Sequence, residues 1–224
     1  MNRIRVVLTG STGMIGKGVL LECLDDPRVD SVLVVNRNPL GMSHPKLKEV
    51  LLKDFMHPEG IREELRGYDT VFFCLGVSAA GMSEAEYSKI TFDYTINFAK
   101  VFLEVNANST FIYVSGTGTD NTERGRVMWA RVKGRTENAI LKMGFRQAFM
   151  FRPGIIRPLR GIQSRTNWYR IMYKIVKPLW PLLMAIFGNA ITDTTRIGKA
   201  MIHLAVNGSE ERYFENRGIN MVSS

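Results

Sequence analysis

The sequence predicts a doubly wound α/β domain, a parallel sheet between two helical layers with a small helical cap near its C-terminal end. Three observations carry that expectation. Short runs rich in Val, Ile and Phe alternate with longer helical patterns along most of the chain. A glycine-rich turn stands between the first such run and the first helical pattern. The 224 residues, 45% of them hydrophobic, suit a single core.

Taken in order, the first strand is expected around Val6 to Leu8, a helix from Ile15 to Leu24, and a second strand from Ser31 to Val35. Leu47 to Leu52 supplies a third strand. A short helical stretch from Ile61 to Leu65 precedes a strand at Thr70 to Cys74, and a long helix from Glu84 to Val105 leads to the strand Thr110 to Val114. The helix Val127 to Met143 leads to the last strand of this series, Ala148 to Phe151. After Arg152-Pro153-Gly154 the alternation stops. Residues from about 157 to 190 read as a cap, with an aromatic and basic helix around Trp168 to Val176. A final helix begins near Thr192, where Thr192 and Asp193 suit its cap, and ends at Asn207-Gly208. Residues 1–224 read as one domain.

Composition narrows the class. Cys23 and Cys74 lie in apolar runs without Cys-x-x-Cys spacing, which argues against a disulfide framework and for a reducing, cytoplasmic setting. The first residues form too short an apolar run for a signal peptide. Between Lys177 and Asp193, 15 charge-free residues include Pro178, Pro181 and Gly188. That stretch is below the roughly 18 needed to span a bilayer. His44, His57 and His203 show no ligand spacing, so no metal is expected. The net charge of +9 is uneven: Arg124 to Lys177 holds 14 Lys and Arg against one acid, Glu137. Such a block suits a phosphorylated cofactor, an acidic small-molecule substrate or an anionic membrane surface, or is simply a solvated face. Nucleic acid is not expected, because no recognition motif interleaves these bases.

The strongest local signal is Thr9-Gly10-Ser11-Thr12-Gly13-Met14-Ile15-Gly16, placed between strand and helix. Gly10 permits a sharp turn, Gly13 lets backbone approach a pyrophosphate, and Gly16 lets helix pack on strand; the free N–H groups of the helix start face phosphates. The alternative is a tight turn without a ligand. At the end of the second strand, Asn36 and Arg37 stand where an NAD site usually carries a carboxylate. Arg37 can pair with a 2′-phosphate through its planar fork, so NADP(H) is expected over NAD(H). Asp54 and Phe55, and Leu75 and Gly76, follow the third and fourth strands at the ligand-gathering edge, the first two as adenine contacts.

These motifs, with Ser115 ending Ile112-Tyr113-Val114-Ser115, the helix Trp129-Ala130-Arg131-Val132-Lys133 and Arg152-Pro153-Gly154-Ile155, resemble the short-chain dehydrogenase/reductase superfamily. The likeness is greatest to its atypical, NAD-dependent epimerase/dehydratase-like, NAD(P)H-binding members. It implies a Rossmann fold, a substrate-polarising role for Ser115, a ribose-binding role for Lys133, and a nicotinamide wall from Pro153, Gly154 and Ile155. It also implies a tyrosine at position 129. Trp129 stands there, and an indole N–H only donates, so the expected acid/base is missing.

Three readings follow: a reductase or epimerase-like enzyme with Ser115, Thr117, a water relay, Tyr87 or Tyr94 in the tyrosine's place; a catalytically weak NADP(H)-binding regulatory or assembly module; or a structural nucleotide with a basic face for a membrane or partner. Trp129 is either core packing or a cover over the nicotinamide end. Arg157, Arg160 and Arg165 are positioned to meet an anionic substrate. The apolar stretch from Trp168 to Phe187 reads as a lid, an interface between copies of the chain, or an interfacial membrane contact, of which buried lid helices are the expected use.

Overall fold

The computed structural model describes residues 3–162 and 188–223. β1 (Ile4–Thr9), β2 (Val29–Asn36), β3 (Leu47–Leu51), β4 (Thr70–Phe73), β5 (Thr110–Val114), β6 (Gln147–Arg152) and β9 (Tyr213–Glu215) form one sheet in the order β3-β2-β1-β4-β5-β6-β9, every pair parallel. Strand order reverses between β1 and β4, and this switch point opens the crevice where such folds bind ligands. β7 (Ile155–Arg157) and β8 (Ile191–Asp193) pair separately.

The strands are apolar on both faces because both are covered. Val6 and Leu8 of β1 pack under α1 (Met14–Asp25) and α5 (Thr194–Asn207), with Val19, Leu20, Ile197 and Met201. Val7, between them, faces Phe73, Phe98 and Phe102 and the layer holding α3 (Tyr94–Val105) and α4 (Met128–Leu141). The predicted helix from Glu84 to Val105 proves to be three pieces: α2 (Glu84–Ser88), a π turn (Lys89–Asp93) and α3. The Thr95 hydroxyl donates to the Thr91 carbonyl at 2.7 Å, a side-chain bond that competes with regular helix in this segment. The short helical expectation at Ile61 to Leu65 becomes a 3-10 turn at Pro58–Ile61.

α5 starts two residues later than its cap signal suggests, since Thr192 and Asp193 belong to β8. Asp193 still caps it, accepting from the Arg196 N–H at 2.8 Å, and Gly208 ends it with φ 75. β9 and α6 (Asn216–Val222) have no counterpart in the sequence reading; a three-residue strand beside a seven-residue helix leaves too few apolar repeats to show a period. The expected helix Trp168 to Val176 and most of the cap lie outside the described residues. Among the described residues, no helix is long and apolar enough to cross a membrane, and no cluster of His, Cys, Asp and Glu could hold a metal.

Candidate functional site

The glycine turn opens a cleft of about 230 Å³, lined by Gly10, Thr12, Gly13, Met14, Val35, Asn36, Arg37, Phe55, Cys74, Leu75 and Gly76. The local chemistry explains its shape. Gly10 has φ 71, and a Cβ there would stand 2.5 Å from the Cys74 carbonyl oxygen, so β1 and β4 approach only with glycine at this corner. A Cβ at Gly16 would collide with the Gly10 carbonyl oxygen. α1 begins after Gly13 with no side-chain cap, leaving its first N–H groups for a ligand in the crevice. The backbone thus forms a cradle that side chains would fill, which fits a dinucleotide pyrophosphate.

Nine of the expected cofactor residues come together in that cleft: Gly10, Thr12, Gly13, Met14, Asn36, Arg37, Phe55, Leu75 and Gly76. Others have different surroundings. Ser11 is buried and donates to Asn36 Oδ1 at 2.8 Å, while Asn36 donates to Glu49 Oε1 at 2.9 Å. Glu49 also accepts from the Leu40 N–H, which fastens the loop after β2. Ile15 and Gly16 pack behind the turn. Asp54 is exposed and caps the Met56 N–H at 2.9 Å, away from the cleft lining. Arg37 is exposed at the cleft and forms no ion pair with any described residue. Sequence reasoning missed Glu49, Val35 and Cys74; places near strand ends could have indicated Val35 and Cys74, while nothing local marks Glu49, in the middle of β3.

At the carboxyl ends of β5 and β6 a second cluster forms. The Lys133 ammonium donates to the Ser115 carbonyl oxygen. A Cβ at Gly116 would lie 3.8 Å from both Lys133 Nζ and the Pro153 carbonyl oxygen, so these groups meet at one point. Burial pushes the Lys133 ammonium down to about 8, against the opposing pull of Glu137. Lys133 is nonetheless partly exposed by area, so solvent can exchange its proton.

The Ser115 hydroxyl is buried and engaged: it donates to Glu137 Oε1 at 2.5 Å and lies 3.2 Å from the Phe151 carbonyl oxygen. Glu137 is fully buried and is matched by Arg152, whose Nε donates at 3.0 Å, and by the Asn121 amide at 2.9 Å. Trp129 lies one turn before Lys133 on α4 and is partly buried over Gly118, where a Cβ would stand 3.5 Å from the indole. Thr117 is exposed beside it, its hydroxyl donating to the Arg152 carbonyl at 2.9 Å. Tyr87 is buried, and burial raises its pKa; the Tyr94 ring stacks 6.0 Å from Phe55. The Gly154 N–H donates to Asn216 Oδ1 at 3.0 Å, tying the wall formed by Pro153, Gly154 and Ile155 to α6.

The three arginines expected at the substrate divide. Arg160 turns to α1, where it pairs with Glu22 at 3.1 Å and Asp25 at 2.8 Å. Arg157 sits on β7, and Arg165 lies outside the described residues. Arg131 likewise pairs with Glu84, and Arg152 pairs with Glu137, the block's own acid, so part of the basic block seen in sequence is neutralised, at Arg131 and Arg160 by acids from elsewhere.

No family model matches the chain. It is 31% identical over 153 residues to "Protein FMP52, mitochondrial" of Debaryomyces hansenii, covering 66% of this chain and 65% of that protein. It is 28% identical over 208 residues to "Protein FMP52-2, mitochondrial" of Scheffersomyces stipitis, covering 91% and 86%. Among solved structures it is similar to a UDP-N-acetylglucosamine 4-epimerase from Methanobrevibacter ruminantium, with TM-score 0.69, 16% identity, and 96% and 76% of the two chains covered. It is also similar to a short-chain dehydrogenase/reductase from Saccharomyces cerevisiae, with TM-score 0.62, 16% identity, and 95% and 96% covered. The chain therefore has the Rossmann fold of these structures, the fold class that its motifs imply. The expected cytoplasmic location is overturned, because the curated relatives are named mitochondrial. Unpaired cysteines report a reducing environment, and that does not identify one compartment.

Proposed function

We propose that a protein with this superfamily fold binds NADP(H) across the cleft and serves as an atypical oxidoreductase on a small carbonyl substrate, with Lys133 delivering the proton that a tyrosine would otherwise supply. The observation that carries this reading is the backbone cradle at Gly10 and Gly13 opening onto Arg37 at one end of a strand-end crevice. The Lys133 ammonium marks the end of the neighbouring strand. Arg37 holds the 2′-phosphate by a charge-assisted fork, the N–H groups of α1 hold the pyrophosphate, and Pro153 and Gly154 flank the nicotinamide. When bound, the nicotinamide supplies hydride to the carbonyl carbon.

Lys133 gives its proton to the carbonyl oxygen and recovers one from solvent; a pKa near 8 suits an acid working close to neutral pH. Trp129 covers part of this end and leaves Lys133 its access to solvent. Ser115 keeps its hydroxyl on Glu137 and so holds the strand end in place.

The test is a calorimetric titration with NADP⁺, NADPH, NAD⁺ and NADH on the wild type and Arg37→Ala, followed by NADPH oxidation with a panel of aldehydes and ketones. Tighter binding of the phosphorylated pair, lost in Arg37→Ala, and turnover lost in Lys133→Met are expected. Failure of all four nucleotides to bind would sink the proposal. A second reading, an NADP(H)-responsive module without turnover, is favoured by the Ser115 hydroxyl being engaged by Glu137. Binding without oxidation of NADPH by any carbonyl in the panel would select it.

A further inference from the structure

A second cavity lies between α5 and α6, and none of its lining residues belongs to the cofactor cleft. It measures about 580 Å³ and is lined by Leu159, Asp193, Thr195, Arg196, Lys199, Arg217, Asn220, Met221 and Ser223. Three cations thus face one acid. That acid is already engaged, since Asp193 caps α5 through the Arg196 N–H at 2.8 Å and lies 3.5 Å from the Arg196 guanidinium. Among the described residues, neither Lys199 nor Arg217 forms an ion pair. This contrasts with Arg28, Arg62, Arg131, Arg152 and Arg160, each of which has a carboxylate partner.

The walls are rigid. α5 buries Ile197, Ala200, Met201 and Leu204 in the core, which fixes the outward direction of Arg196 and Lys199 one turn apart. α6 is pinned to the β7–β8 pair: Asn216 donates to the Ile155 and Ala190 carbonyls at 3.1 and 2.6 Å, and Asn220 donates to the Ile191 carbonyl at 2.8 Å. Arg217 and Met221 then lie on one face of α6, with Met221 68% exposed at the edge. A cavity whose uncompensated positive charge is held in place by packed helices concentrates anions, and its volume lies within the range of small-ligand sites.

We propose that this cavity is a second ligand site, which takes a phosphate group through Lys199, Arg217 and Arg196. The chemistry is shared by a soluble phosphorylated metabolite and by the headgroup of an anionic lipid, whose acyl region would meet Met221.

The experiment titrates two probes against wild type and the double variant Lys199→Gln/Arg217→Gln: inorganic pyrophosphate by calorimetry, and phosphatidylcholine vesicles with and without phosphatidic acid by co-sedimentation. Both replaced side chains are exposed, so the double variant keeps the wild-type melting temperature. Loss of two charged contacts should weaken the bound probe by about tenfold or more, with NADPH affinity unchanged. Pyrophosphate binding lost in the double variant supports the site with a soluble ligand. Phosphatidic acid-dependent sedimentation lost in the double variant supports it with a lipid headgroup. Pyrophosphate held at the glycine turn would be insensitive to both substitutions. Equal affinity of wild type and variant for both probes, or binding of neither probe by the wild type, overturns the proposal.

Discussion

The two ends of the crevice are built differently. At the β1–α1 end the geometry is backbone: glycines that admit no Cβ, and helix N–H groups left open for a ligand. At the β5–α4–β6 end it is side chains locked to one another, with Glu137 buried between Ser115, Asn121 and Arg152, and Lys133 on the Ser115 carbonyl. The first end presents backbone N–H groups, with the Arg37 side chain exposed at its edge. The second has already committed most of its polar groups to one another, although Lys133, Thr117 and Trp129 keep part of their surface exposed. The two ends rest on different residues, so a substitution at one can leave the geometry of the other in place.

Substitution at Glu137 should have the largest effect. Glu137→Ala strands the Arg152 guanidinium and removes the acceptor of the Ser115 hydroxyl, so stability should fall by about 3–5 kcal/mol in urea titration. A loss under 1 kcal/mol, the scale of an exposed pair, would mean that the network is solvated in solution. Gly16→Ala tests the other end. Its Cβ would be driven into the Gly10 carbonyl, so a cost of about 1–3 kcal/mol or more from overpacking is expected, accompanied by lost nucleotide binding. Full binding at wild-type stability would show that the turn can open.

This contrast also sets what could be read from sequence. The glycine turn, the strand ends and Arg37 were legible because the residues that cooperate there are close in sequence or fall at strand ends whose role is general. The Glu137 network was not, since its partners are brought together only by strand and helix packing: Ser115 lies 22 positions away and Arg152 lies 15. Arg160 makes the same point more strongly. Its partner Glu22 is 138 positions distant, and an arginine expected at a substrate is spent holding the chain after β7 to α1. A short strand such as β9 carries no period at all, so its place beside β6 follows from the fold rather than from any local pattern.

Lys133 sharpens the comparison through pH. Its folded pKa of about 8 lies below the unfolded value of 10.5, so the unfolded chain binds the extra proton between them. The charged form is the one that burial penalises. From this group, stability should rise as pH climbs from about 8 towards 10.5, and Lys133→Met should flatten that rise in thermal melts. If Lys133 is also the proton donor, turnover should decline as pH rises through about 8, with the cofactor's Kd following a separate course. Trp129→Tyr places a hydroxyl one turn before Lys133. An increase in carbonyl reduction at unchanged NADPH affinity is the expected result, and a variant without turnover would assign Trp129 to packing.

The smallest change is expected from Arg37→Ala, and it is also the most selective. The side chain is exposed and unpaired among the described residues, so its removal should leave stability within about 0.5 kcal/mol of wild type. A charge-assisted bond to a 2′-phosphate contributes about 1.5–3 kcal/mol, so NADPH should weaken by about tenfold or more while NADH is unaffected. The asymmetry matters because Glu49, beside the end of β2, has one carboxylate oxygen, Oε1, already accepting from Asn36 and the Leu40 N–H. Were NADH to bind more tightly than NADPH to the wild type, the Glu49 carboxylate, through Oε2 or a released Oε1, would be the group to test. Asn36→Ala, which removes one donor to Oε1, would then strengthen NADH further instead of loosening the loop.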